Sequence, residues 1–322
     1  MQQTVLEVKD LRTYIFTRRG VVKAVDGVSF KMNQGEAFGI VGESGCGKSM
    51  TGLSILRLVP EPAGRIVGGQ ILFEGEDLAV KSEEEMRHLR GKKISMILQD
   101  PLSSLNPALS IGFQVSETLR VHQAVSKKDV RSQAISMLKK LNIPAAEARM
   151  DNYPHQMSGG MRQRVVGAIA LSCQPSLLIA DEPTTCLDVT TQAQYLLLLD
   201  SARRNLNASL IFITHDFGIV AQMCDHVAVM YAGRIVEKAD VFEIFNNPRH
   251  PYTIGLEACV PKLETRSERL FSVIGEPPVP TALPAGCSFA PRCKEAMDVC
   301  LRERPPITEV KPGHEVCCWL NK

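Results

Sequence analysis

Short apolar runs alternate along the first 245 residues with stretches whose apolar positions recur every three or four residues, and this alternation predicts strands and helices in turn. Residues 5–8 and 25–32 read as strands, the second set among the turn signals Asp26-Gly27 and Asn33-Gln34-Gly35. Residues 37–41 are a continuous apolar run, the pattern of a strand buried on both faces. Glycine-rich residues 42–47 follow, and helical spacing then covers 49–59. Residues 71–73 and 94–98 are further strands. From 101 to 157 the pattern is mostly helical, clearest over 130–141, and Ser158-Gly159-Gly160 opens a helix that runs through Leu171. Apolar strands at 177–180, 210–214 and 227–231, with helical stretches between them, complete the series. The expected architecture is α/β, a parallel sheet with helices on its faces.

After Asn247 the pattern breaks. Pro248, Pro251, Pro261, Pro277, Pro278, Pro280, Pro284 and Pro291 argue against long regular elements. A boundary near residue 246 divides the chain into a domain over 1–245, with a helical part at about 101–160, and an irregular extension over 246–322. A length of 322 residues suits about two domains. With 44% hydrophobic and 22% charged residues, disordered, collagenous and coiled-coil classes are excluded. The 37 basic residues barely exceed the 35 acidic ones, so the basic surplus of a dedicated nucleic-acid binder is missing. No run approaches the ~20 apolar residues that span a bilayer. The start, MQQTVLEVKD, has no basic-then-apolar leader. The expectation is a cytoplasmic chain that meets a membrane through a partner.

Two local patterns carry chemistry. Gly42-Glu43-Ser44-Gly45-Cys46-Gly47-Lys48-Ser49 fits G-x-x-x-x-G-K-[ST], between a strand and a helix. Glycines there let successive N–H groups turn toward phosphate oxygens, and the helix adds the positive end of its dipole. Lys48 supplies a point charge for the β- and γ-phosphates, and Ser49 a hydroxyl for Mg²⁺. Cys46 reads as a small filler, although its place beside a helix start is one that lowers thiol pKa values. Farther on, residues 177–180 lead into Asp181-Glu182 at the carboxyl end of a buried strand, where α/β sheets bind ligands. Asp181 suits the metal side, and Glu182 suits polarising a water for in-line attack on a γ-phosphate.

Together these residues resemble the nucleotide-binding subunit of an ABC transporter, over residues 1 to about 245. Ser158-Gly159-Gly160-Met161-Arg162-Gln163-Arg164 resembles the family signature, Gln99 the Q-loop glutamine, Asp188 the D-loop aspartate and His215 the switch histidine. The resemblance implies a P-loop ABC ATPase core with an antiparallel β subdomain and a helical subdomain. It implies ATP binding by residues 42–49 (Gly42, Glu43, Ser44, Gly45, Cys46, Gly47, Lys48 and Ser49) and by Met50. It implies catalysis by Glu182, His215 and Gln99, and Mg²⁺ on Ser49, Gln99 and Asp181. Two cassettes would close around two ATPs, each reached from the opposite cassette by Ser158, Gly159, Gly160, Met161 and Asp188. Met161 stands where the family usually has glutamine, a departure of small cost because the phosphate contacts come from the serine and the backbone. For the family's adenine-stacking aromatic, Tyr14 and Phe16 are the candidates, sharing one strand face. The alternative is that both fill the subdomain core.

Five of the ten cysteines crowd into the tail: Cys287, Cys293, Cys300, Cys317 and Cys318. Their spacings are wider than the close pairs of zinc modules, and spacing leaves an iron–sulfur cluster, zinc and free thiols open. The stretches 245–253 and 286–293, with His314-Glu315-Val316-Cys317-Cys318, resemble the C-terminal extension of the oligopeptide/dipeptide importer ATPases. That resemblance implies a 4Fe–4S cluster on Cys287, Cys293, Cys300 and Cys318, with Cys317 spare. It implies an ATPase that energises peptide import, or import of nickel or another solute. The expected partners are two membrane-spanning permease subunits, a second related ATPase and, indirectly, an external substrate-binding protein. The expected place is the cytoplasmic face of the plasma (inner) membrane. The rival class, a soluble non-transport ABC ATPase, calls for a coiled-coil insertion or two cassettes in one chain, and neither is seen.

Overall fold

The computed structural model describes residues 3–123, 126–260 and 272–322. Residues 124–125 of the helical stretch and Pro261 lie outside the described residues. Twelve strands occur among them: β1 (Thr4–Thr17), β2 (Gly20–Asn33), β3 (Ala37–Val41), β4 (Gly64–Phe73), β5 (Glu76–Asp77), β6 (Ile94–Ile97), β7 (Leu177–Asp181), β8 (Ser209–Thr214), β9 (His226–Tyr231), β10 (Arg234–Asp240), β11 (Thr308–Lys311) and β12 (His314–Val316). The chain divides into two compact units, each discontinuous in sequence. One comprises Met1–Val5, Asn33–Glu36 and Val80–Ile211; the other comprises Leu6–Met32, Ala37–Ala79 and Phe212–Lys322.

In the first unit β6 and β7 pair in parallel, from Ile94↔Leu177 to Ile97↔Ala180. The five residues of β7 are all buried, as a run with no polar alternation requires. Helix Gly159–Leu171 packs against helices Ile111–His122, Lys127–Lys140 and Val189–Asn205. The inward faces follow the predicted period. Ile111, Val115 and Leu119 lie one above the other, as do Val130, Ala134 and Leu138. Each of these helices begins on a side-chain cap: Ser110 accepts from Phe113 N, Ser126 from Asp129 N, Ser158 from Met161 N and Asp188 from Thr191 N. Such caps contribute about 1 kcal/mol each and place the starts within a residue. Helix Glu83–Leu89, not anticipated above, starts with a reciprocal Ser82/Glu85 capping box whose S-x-x-E signature is plain in the sequence.

The second unit carries a four-stranded sheet in the order β2-β1-β4-β5, with β1 antiparallel to β4 and β4 antiparallel to β5. This is the antiparallel β subdomain. A second run of strands has the order β11-β12-β10-β9-β3. Here β3 and β9 pair in parallel, but β10 is antiparallel to both β9 and β12, and β11 to β12. The expected all-parallel sheet is therefore a mixed one. The reason lies in connection length. Only Ala232 and Gly233, both at positive φ (45° and 82°), join β9 to β10, and a two-residue turn of that kind closes a hairpin. A parallel neighbour would need a crossover of a dozen residues or more.

Two further expectations change. The helix after the glycine loop spans Lys48–Ile55 and stops short of residue 59, where Arg57 takes φ +52° and Pro60 follows. In the tail, Pro251 does not break structure but starts it, occupying the first turn of helix Pro251–Ala258, while His250 Nδ1 accepts from Tyr252 N at 3.0 Å. The tail strand β12 pairs with β10 through Glu237↔Val316 and Lys238↔Glu315. His314, 1% exposed, sits 2.7 Å from the buried Glu237 carboxylate, which also accepts from the backbone N–H groups of Arg249 and His250. No helix among the described residues is long and apolar enough to cross a membrane.

Candidate functional site

The second unit holds the glycine loop. Buried β3 delivers the chain to Gly42 at φ +154°, where a Cβ would collide with the Met230 carbonyl oxygen. Gly47, at φ +108°, is equally constrained, by the Ala24 carbonyl. The loop thus runs too close to neighbouring backbone for any side chain at these two places. Gly47 is the N-cap of helix Lys48–Ile55 and provides no side-chain cap, so the first-turn N–H groups have no capping oxygen from it. Lys48 is 4% exposed, and its ammonium donates to Gly42 O (2.8 Å) and Glu43 O (3.0 Å). Ser49 and Met50 are half-buried in the first turn, Ser44 and Gly45 exposed. Cys46 is buried, and burial pushes its thiol up rather than down, in keeping with a small filler in the loop.

The back of the loop is built by residues that no motif announced. Glu43 N donates to the Tyr252 hydroxyl at 2.9 Å. Arg292 grips the Glu43 carboxylate with both prongs, Nη1 to Oε2 at 2.6 Å and Nη2 to Oε1 at 2.9 Å. Tyr231 and Tyr252 pack edge to face beneath, with Phe289 against both. Nothing in a linear pattern links position 292 to position 43.

In the same unit His215 follows β8 and is exposed, while Asp216 caps helix Phe217–Met223. Tyr14 and Phe16 now differ in circumstance. The Tyr14 hydroxyl is held by Asp26 at 2.8 Å, whereas Phe16 is 46% exposed with the Arg65 guanidinium 5.8 Å from its ring centre. Asp26 also accepts from Arg234 and Arg304. Burial alone would raise the Asp26 pKa, but the Arg234 and Tyr14 hydrogen bonds outweigh it and hold the carboxyl below its usual value.

The first unit holds the acidic pair. Asp181 ends β7 and is 5% exposed. Glu182 takes φ +43°, a left-handed conformation that a glutamate seldom adopts and that clusters at functional sites. Gln99 Nε2 donates to Glu182 Oε2 at 2.9 Å, and Thr185 Oγ1 reaches the same oxygen at 3.2 Å. Gln99 and Glu182 are thus brought together. Ser158 is exposed at the start of its helix, its Oγ accepting from Met161 N at 3.3 Å. Gly159 faces open space, while a Cβ on Gly160 would press to 2.8 Å from Thr191. Met161 is half-buried in the first turn. Asp188 caps the next helix, and the Thr191 N–H lowers its pKa.

In the tail, Cys287, Cys293, Cys300 and Cys318 line one pocket, with His250 and Trp319 in its wall, and Cys317 lines a different one. Among the described residues no three His, Cys, Asp or Glu side chains are gathered tightly enough for a single metal ion. Burial raises the Cys287, Cys293 and Cys318 thiols, and Cys317 to about 11.

Comparison with known proteins places these features in a family. Residues 25–185 match the ABC transporter family model, and residues 236–300 match the oligopeptide/dipeptide transporter C-terminal region. The chain is 50% identical over 316 residues to the oligopeptide transport ATP-binding protein OppD of Bacillus subtilis, covering 98% of this chain and 88% of that one. It is 49% identical over 319 residues to the dipeptide transport ATP-binding protein DppD of the same organism (99% and 95% covered). A probable peptide ABC transporter ATP-binding protein of Sinorhizobium fredii is 48% identical over 317 residues, with 98% and 95% covered. Among solved structures, the post-hydrolysis dimer of the ATP-binding cassette MJ0796 with ADP and Pi shares the fold, at TM-score 0.66 and 24% identity over 73% of this chain and 98% of that one. The cbiO1 structure from Clostridium perfringens matches at TM-score 0.64 and 28% identity, covering 76% and 92%. The chain belongs to the ATP-binding subunits of ABC transporters, in the oligopeptide/dipeptide transporter family.

Proposed function

We propose that this chain binds and hydrolyses ATP to energise a peptide importer. The glycine loop carries the reading: Gly42 and Gly47 hold a tight turn, the buried Lys48 ammonium lies along it, and an uncapped helix start follows. An N–H cradle with a fixed cation is suited to a triphosphate. Residues 42–50 wrap the phosphates, the contacts coming from backbone N–H groups, the Lys48 ammonium and the Ser49 hydroxyl and not from the Glu43 side chain. Ser49, Gln99 and Asp181 hold Mg²⁺, which when bound neutralises charge on the phosphate oxygens. Glu182 accepts a proton from the attacking water. In that role the Gln99 amide, donating to Glu182 Oε2, fixes the carboxylate's orientation. His215 donates to the γ-phosphate.

Ser158, Gly159, Gly160, Met161 and Asp188 serve an ATP on a second cassette. Phe16 is the better adenine platform, because it is exposed whereas Tyr14 is half-buried. The partners are two membrane permease subunits, a second related ATPase and, indirectly, an external substrate-binding protein. The site of action is the cytoplasmic face of the membrane.

The tail thiols fit an iron–sulfur cluster better than a single ion. Four cysteines share one pocket, Cys300 from the short helix Asp298–Arg302, and among the described residues no three His, Cys, Asp or Glu side chains are gathered for one metal. A cluster presents several irons and accepts ligands spread around it. The cluster would pin the extension in place. The observation that tests the function is turnover. Purified with its membrane partners, the complex should hydrolyse ATP when a peptide-loaded binding protein is added. A Glu182→Gln subunit should abolish that activity while still binding ATP. Full turnover in that variant would refute the assignment.

A further inference from the structure

The phosphate loop carries a negative charge of its own. Glu43 is the second residue of the loop, and a free carboxylate there would repel the polyanion that the loop is shaped to hold. The molecule cancels that charge from a distant part of the chain. Arg292 makes a two-pronged pair with Glu43, and its side chain is only 4% exposed. The guanidinium is itself fixed: Nε donates to Ile274 O at 3.0 Å and Nη2 to Val273 O at 3.2 Å, while the Tyr231 hydroxyl lies 3.3 Å from Nη1. The Glu43 amide is meanwhile turned to Tyr252. Carboxylate and amide of one loop residue are therefore both held by the C-terminal extension.

We infer that Arg292 is a positioning residue for nucleotide binding, neutralising Glu43 and fixing the back of the phosphate loop. A planar fork suits this task, since it holds both carboxylate oxygens at once and stays charged at every physiological pH. The consequence is directional. Removing the arginine exposes the glutamate charge to the phosphates and weakens binding. Removing the glutamate charge leaves an unpaired cation beside the phosphates and does not weaken it. A pair that served only to anchor the extension would weaken binding whichever partner was changed. The inference rests on the reading that this loop receives ATP phosphates.

The test is equilibrium titration of the purified full chain, prepared without oxygen, with a fluorescent ATP analogue. Arg292→Ala should bind about tenfold more weakly than the unchanged chain. Glu43→Gln should bind at least as tightly, and the double variant should return to within about threefold of the unchanged chain. Unaltered binding in Arg292→Ala overturns the inference, as does a double variant as weak as Arg292→Ala. Glu43→Gln leaves the arginine and its carbonyl contacts in place, so it decides the matter even if Arg292→Ala does not fold: a tenfold loss there overturns the inference. Lys48→Ala, measured alongside, separates the two levels. If it binds the analogue normally, the reading of the loop fails; if it loses binding while the Arg292 and Glu43 variants behave alike, that reading stands and only this inference falls.

Discussion

Gln99 Nε2 donates to Glu182 Oε2 over 2.9 Å, joining the start of the helical stretch to the end of β7 across 83 residues of sequence. The bond ties the carboxylate proposed as the base to a side chain whose position depends on the loop after β6. Movement of that loop would reorient the base directly. Gln99→Ala should therefore lower turnover by about 10²-fold, within the range of general-base catalysis, with much less effect on ATP affinity. Comparing kcat with KM in the assembled transporter checks this; equal loss in both would remove the orienting role.

The left-handed backbone of Glu182 carries a stability cost. A residue with a Cβ in that region is disfavoured by about 1–2 kcal/mol relative to glycine. Glu182→Gly and Glu182→Ala both lose the carboxylate, so their difference isolates the backbone. Glu182→Gly should be the more stable by about 1 kcal/mol in denaturant unfolding, and both should be inactive.

Lys48 is buried with its ammonium on two loop carbonyls. Lys48→Arg should fail almost as fully as Lys48→Ala, because a planar guanidinium cannot follow the path of a compact ammonium. A loss of ATP-analogue affinity of about 100-fold in both variants is the expected outcome.

Asp26 joins Tyr14, Arg234 and Arg304. Its carboxyl titrates below its ordinary value near 3.8 when folded, so the folded form holds fewer protons than the unfolded chain in acid. The stabilisation is present in full above that value and is lost as pH falls through the lower folded pKa. Asp26→Asn should cost about 2 kcal/mol at neutral pH and flatten the acid limb of a stability-against-pH curve. An unchanged acid limb would show that other carboxylates govern it.

Cys287, Cys293, Cys300 and Cys318 line one pocket, and Cys317 lines only a second, which it shares with Cys287. Anaerobically purified chain should carry about four irons. Cys317→Ala should keep them and Cys318→Ala should lose them, by iron assay and visible absorption. Iron retained in Cys318→Ala would transfer the ligand role or remove it.

Much of the site was readable in linear order because the devices involved are local. A phosphate loop is eight consecutive residues, a helix start is a cap and the turn after it, and a doubly buried strand is an unbroken apolar run. Hence β3 and the first residue of β7 fall where the pattern placed them, and Ser158 opens its helix as expected. The direction of β10 was not readable from apolar spacing. It follows from the positive φ of Ala232 and Gly233, which the alternation of neighbouring strands had hidden. Pro251 was misjudged for a related reason: proline ends a helix in its interior but suits its first turn, and position decides.

Local chemistry along the chain was thus enough to specify the loop, the acidic pair, the signature helix and the alternation that identifies the fold. Folding alone brought Arg292 onto Glu43, Gln99 onto Glu182 and four of five tail cysteines to one pocket. Those pairings span up to 249 residues. Turn chemistry and apolar period act over a few residues, so they prescribe elements; which side chains finally meet depends on how the packed elements bring distant segments together.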